Sequence, residues 1–209
     1  GSRAGYAYLG QHWAGQGYVC VHLEHLGTNA AVWQTARDPK AALRAAAIDP
    51  QNVFDRVLDV RFAIDQLERF AQGPGLGPTL DLERIGAAGH SMGAYTTLGA
   101  AGEILPDAEG REHSLADARI KAVVAMSPSA PRSKERLDAI FRGVRVPVLH
   151  LTGTRDESPI GLTRAAERRT AFDHIAGVEQ YLVVLRDGDH MTFADLKRGA
   201  TAARGRQAV

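Results

Sequence analysis

Five short apolar runs, at residues 18–22, 85–88, 122–125, 146–151 and 181–185, alternate along this chain with stretches of helical character. Strands separated by helices return to the same edge of a sheet and pair in parallel, with the helices covering its faces. The alternation predicts an α/β domain built on a mostly parallel sheet with helices on both faces. No internal repeat and no long linker interrupts the pattern. Residues 1–209 therefore read as a single domain, long enough to bury a substantial core.

The helical stretches carry their own punctuation. Tyr6, Leu9 and Trp13 are spaced as one helix face, and the glycines at 15 and 17 end it. Asp49-Pro50 is a helix start, with an acidic N-cap and proline in the first turn. Val53, Val57, Val60, Ile64 and Leu67 then form one buried stripe, stopped by the Gly/Pro cluster at 73–78. Small residues between Gly93 and Gly102 predict a tightly packed helix. Residues 23–47 read as irregular, with Asp38-Pro39 as a break. Residues 103–118 read as a short polar excursion, too small for a cap domain.

Composition excludes several classes of function. Lysine and arginine number 25 against 24 acids, for a net charge of +1, so the balance offers no footprint for nucleic acid or an acidic membrane. No apolar run approaches the roughly 20 residues of a membrane span. Cys20 is the only cysteine, so no intrachain disulfide can form, which fits a reducing compartment. No His or Cys pattern has metal-ligand spacing, and no G-x-G-x-x-G opens a helix after a strand, so no metal or nucleotide cofactor is expected. The tail at 201–206 reads as a solvated end.

The chemistry concentrates at Gly89-His90-Ser91-Met92-Gly93, a G-x-S-x-G segment between a strand and a helix. Such a turn lifts a serine hydroxyl above the sheet and aims the next N–H, that of Met92, at a developing oxyanion. A serine needs a base, and the base needs an orienting acid. On this architecture they follow in the order serine, acid, histidine. Asp156 and His190 occupy the ends of the two later runs in that order. Glu157 is the rival acid. Asp189, adjacent to His190, fits a turn better, and Asp138 and Asp173 fall on helices. His25, Trp33 and Ser127 follow strands facing the same end and are candidate pocket residues.

Six segments together resemble one branch of the α/β-hydrolases. They are Gly1-Ser2-Arg3-Ala4-Gly5-Tyr6, His25-Leu26-Gly27-Thr28, the Gly-His-Ser-Met-Gly turn, Met126-Ser127-Pro128, Gly153-Thr154-Arg155-Asp156-Glu157-Ser158-Pro159 and Gly188-Asp189-His190-Met191. The branch holds dienelactone-hydrolase-like proteins, platelet-activating-factor-acetylhydrolase-like enzymes and polyester hydrolases. The resemblance implies the α/β-hydrolase fold, a Ser91–Asp156–His190 triad and a Met92 oxyanion donor. Dienelactone hydrolases proper use cysteine where this chain has Ser91. In the family a strand and a His-Gly loop with a second oxyanion donor precede the segment like Gly1-to-Tyr6, and a closing helix follows the histidine. The resemblance thus implies a fold incomplete at its N-terminus and its C-terminus. It also implies an unfilled strand position between 18–22 and 85–88.

The expected activity is hydrolysis of short- to medium-chain or polymeric carboxylic esters. A thioesterase or peptidase on the same three residues, or a silent scaffold used for binding, are the alternatives.

Overall fold

A computed structural model describes residues 3–194 of the chain. The tail at 201–206 lies outside them. In chain order the elements begin with α1 (Ala7–Gly15), α2 (Ala31–Gln34), α3 (Pro39–Ile48) and α4 (Pro50–Ala71). Then come β1 (Ile85–His90), α5 (Met92–Ala101), β2 (Leu105–Pro106), β3 (Glu112–His113) and β4 (Ile120–Met126). The last are α6 (Leu137–Phe141), β5 (Val148–Arg155), α7 (Thr170–His174) and β6 (Gln180–Asp189). Short 3-10 turns sit at Gly77–Thr79 and Ala165–Arg169.

The main sheet has the order β1-β4-β5-β6, and all three pairings are parallel. With every strand running the same way, all four C-terminal ends lie along one edge of the sheet. The core forms where α4 and α5 pack beside β1 and β4, through Val53, Val57, Ile64, Ala94, Leu98, Val123 and Ala125. α5 is built of small residues for a packing reason. A Cβ on Gly99 would stand 3.0 Å from both Val57 and Leu105, so α4 and β2 approach at close range. α5 ends in a Schellman turn, with Glu103 N–H donating to Leu98 C=O and Gly102 N–H to Gly99 C=O, and Gly102 takes a φ of 121°.

Three expectations need correction. Residues 18–22 do not form a strand. A strand needs a ladder partner for its N–H and C=O groups. Among the described residues none flanks this run, and Tyr18, Val19 and Val21 face solvent. Among the described residues β1 pairs on one side only, with β4. Second, 23–47 is not irregular throughout, because Asp38-Pro39 starts α3: Asp38 accepts from Ala41 N–H at 2.9 Å and proline holds the first turn. Asp49 caps α4 by the same device, accepting from Gln51 N–H at 2.9 Å. Third, the polar excursion after α5 begins by burying Glu103, Ile104 and Leu105 before β2 and β3 pair antiparallel.

Glu103 is 1% exposed, and neither carboxylate oxygen has a hydrogen-bond partner among the described residues. Burial pushes its carboxyl well above the ordinary 4.5. The folded protein keeps this proton where the unfolded chain has lost it. Its contribution to stability is therefore whole below pH 4.5. It declines above that by about 1.4 kcal/mol per pH unit until the folded group ionises. Glu103→Gln has no such titration. Its melting temperature relative to the parent is expected to rise steadily as pH increases from acid to neutral. Parallel melting curves against pH for the two proteins would refute a buried, protonated Glu103.

Candidate active site

Each strand of the main sheet hands the chain directly to a residue of interest at the common edge. β1 ends at His90 and is followed by Ser91; β4 by Ser127; β5 by Asp156; and β6 by His190. Ser91 has φ 58° and ψ −120°, a conformation side chains rarely adopt, costing on the order of 1–3 kcal/mol. Its neighbours hold it there. Ser91 N–H donates to Met126 C=O on β4 at 2.8 Å, and Tyr95 N–H donates to Ser91 C=O. Met92, next in the chain, is the first residue of α5, where N–H groups have no intrahelical acceptor.

The pairing of β5 with β6 brings Asp156 to His190. Arg155 and Asp189 are register partners across the two strands, so the residues that follow them lie side by side. The register shifts just before this pair, between Gly153 and Arg155. Two glycines allow the shift, since a Cβ on Gly153 would stand 2.1 Å from Gly188 C=O. Both strands run further than their apolar cores suggest, with β5 reaching Arg155 and β6 reaching Asp189.

The three side chains form one hydrogen-bonded line. His190 Nδ1 lies 2.8 Å from Asp156 Oδ1, and His190 Nε2 lies 2.9 Å from Ser91 Oγ. With Nδ1–H donating to the carboxylate, Nε2 is free to accept from the serine hydroxyl. Asp156 Oδ2 accepts from Thr152 Oγ1 at 2.8 Å. Burial alone would push the Asp156 carboxyl up. The His190 hydrogen bond, the facing Ser127 hydroxyl, the charge of Arg168 and Thr152 outweigh it and hold Asp156 below its ordinary range, as a carboxylate.

A second histidine fixes the loop that carries His190. His90 Nε2–H donates to His190 C=O at 2.7 Å, which leaves Nδ1 to accept from Tyr6 O–H at 2.5 Å. Burial, reinforced by His190, pushes the His90 imidazole down to about 4, so it is neutral in the physiological range. Burial likewise pushes the Tyr6 phenol up to about 12.

The remaining sequence candidates fall elsewhere. Glu157 turns away and accepts from Ala165 N–H, which leaves Asp156 in contact with His190. Asp189 accepts from Met191 N–H and from the Thr192 hydroxyl, as a turn residue does. Asp138 pairs with His174, and Asp173 with Arg169. Ser127 is completely buried, with φ 49°, and faces the Asp156 carboxylate without the geometry of a hydrogen bond. With its whole surface covered, it reaches no open cleft. His25 Nδ1 is engaged by Asp59 Oδ2 at 2.7 Å. Trp33 is half-buried on α2, which packs on α3. Neither belongs to the hydrogen-bonded line.

One participant escaped sequence reading. Arg168 lies in the 3-10 turn before α7, its side chain 1% exposed, with Nε 3.2 Å from Asp156 Oδ1 and Nη2 3.1 Å from His190 Nδ1. Nothing local distinguishes it from Arg169, the next residue, which pairs with Asp173 at the surface. Among the described residues no helix is long and apolar enough to cross a membrane, and no cluster of His, Cys, Asp and Glu could hold a metal ion. No family model and no curated protein matches the chain.

Proposed function

We propose that this chain is a serine hydrolase of the α/β-hydrolase fold that cleaves carboxylic esters through an acyl-enzyme intermediate. The observation that carries this reading is the continuous line Asp156–His190–Ser91, with spacings of 2.8 and 2.9 Å, at the C-terminal edge of a parallel sheet. The strained φ of Ser91 supports it, because such strain persists only where the surroundings enforce it. Three unrelated stretches of chain have no packing reason to meet through an acid, an imidazole and a hydroxyl in this order.

In the first half-reaction Ser91 Oγ attacks the ester carbonyl carbon while His190 Nε2 takes the hydroxyl proton. Asp156 keeps Nδ1–H in place and stabilises the imidazolium. The negative charge that gathers on the carbonyl oxygen is met by Met92 N–H at the start of α5, where the helix dipole adds to the hydrogen bond. The C–O bond to the alcohol then breaks, and His190 returns its proton to the leaving oxygen. Water, deprotonated by His190, repeats the sequence on the acyl-serine and releases the acid. Short- to medium-chain and polymeric esters are the substrates proposed, in line with the family the sequence resembles.

A fluorophosphonate probe tests the reading without guessing the ester. The chain is expected to gain the mass of one phosphonyl group, mapped to the peptide carrying Ser91, and to lose ester hydrolysis in step with labelling. Absence of labelling, or labelling at another serine, would reject it.

A further inference from the structure

Arg168 is buried more completely than a link between loops requires. Its Nε donates to Asp156 C=O at 3.1 Å, and its Nη1 donates to Ser127 C=O and Pro128 C=O at 3.0 Å each. These contacts tie together the loops that follow β4 and β5. Neutral donors could make the same three bonds, whereas a buried guanidinium carries a heavy desolvation cost unless a counterion answers it. Its counterion is Asp156, the same carboxylate that His190 uses.

We propose that Arg168 is a positioning residue that keeps His190 as a neutral base: its guanidinium, 3.2 Å from Asp156 Oδ1 and 3.1 Å from His190 Nδ1, holds the acid ionised and opposes a second positive charge on the imidazole. The role rests on the reading of His190 as general base. His190 Nδ1 cannot donate to Asp156 and accept from Arg168 at once. The carboxylate is nearer, at 2.8 Å, and is the anion, so Nδ1 carries the proton and Nε2 stays open to Ser91. Protonation of Nε2 then places an imidazolium against the guanidinium. The other groups facing His190 do not supply this repulsion. His90 is neutral, Ser91 is uncharged, and the neighbouring Asp189 carboxylate is engaged by Met191 N–H and Thr192.

The experiment is an NMR titration of the His190 ring, assigned by its loss in His190→Gln, in the parent chain and in Arg168→Gln, Arg168→Lys and Asp156→Asn. Arg168→Gln is expected to raise the His190 midpoint by about one pH unit or more, and Arg168→Lys, which keeps the charge, to leave it nearly in place. Asp156→Asn removes the buried partner of the guanidinium, leaving only the charges of Glu157 and Glu167. It is expected to drop the midpoint below that of free histidine, about 6.5. If Arg168→Gln fails to fold, this arm can still overturn the proposal. Ring nitrogen shifts in the parent chain are expected to report the Nδ1–H tautomer. An unmoved midpoint in Arg168→Gln, a midpoint at or above 6.5 in Asp156→Asn, or an Nε2–H tautomer in the parent would each overturn the proposal. None of these readouts needs turnover. A chain that neither hydrolyses esters nor reacts with the fluorophosphonate defeats the assignment of Ser91 as nucleophile, while the midpoints still decide the role of Arg168.

Discussion

On the proposed mechanism, Ser91→Ala is expected to lower ester hydrolysis by about 10⁴-fold or more and to abolish phosphonylation, with no loss of fold. His190→Ala should fall to the same floor, because a nucleophile without its base is nearly as inert as no nucleophile. The double variant should fall no further, since groups that act as a unit do not add. Asp156→Asn is expected to cost about 10⁴-fold, through loss of the carboxylate that selects the Nδ1–H tautomer. Release of nitrophenol from short-chain nitrophenyl esters measures all four. A Ser91→Ala protein that turns over within tenfold of the parent would remove the serine from the mechanism.

The strands and the candidate site were legible in this sequence for one reason. Parallel strands that alternate with helices stand out as short apolar runs, and the residue that follows each is forced to the same edge. That logic found β1, β4, β5 and β6, and with them Ser91, Asp156 and His190. It failed where an apolar run lacks a ladder partner. Residues 18–22 have the composition of a strand, but pairing depends on neighbours that local sequence does not encode.

Asp38-Pro39 shows a different kind of failure. It carries the same N-cap and first-turn proline as Asp49-Pro50, and the two start consecutive helices. The signal was present and was outweighed by the weak apolar pattern of α3, none of whose residues is buried. Arg168 carried no signal at all. Its burial follows from where two loops meet, and no property of a charged residue in a polar turn announces that. Ser127 likewise stands at the right edge of the sheet, yet it is fully buried, with its backbone in the left-handed region.

Gly89→Ala is expected to damage fold and site together. A Cβ at this position would lie 2.2 Å from the carbonyl carbon and oxygen of Gly93 and 2.8 Å from Ala94 N. These are backbone atoms of α5 and cannot rotate out of the way. Relief requires α5 to move off β1, but Ala94 and Leu98 are fully buried on that helix, and β1 is held in register with β4 at Gly89 and Ala125. Overpacking against a fixed backbone places the expected loss at about 3 kcal/mol or more. For a chain of this length that corresponds to a fall in Tm of roughly 6–12 °C. Below the transition the folded fraction should still phosphonylate slowly, because displacing Ser91 and Met92 by about 1 Å costs on the order of 10²-fold in rate. Gly15→Ala is the matched control. It closes α1, a Cβ there meets nothing within 4 Å, and the change should leave the Tm level or slightly raised. A Gly89→Ala protein that melts with the parent and labels at the parent rate would mean that the turn around Ser91 is looser than the contact between Gly89 and Gly93 requires.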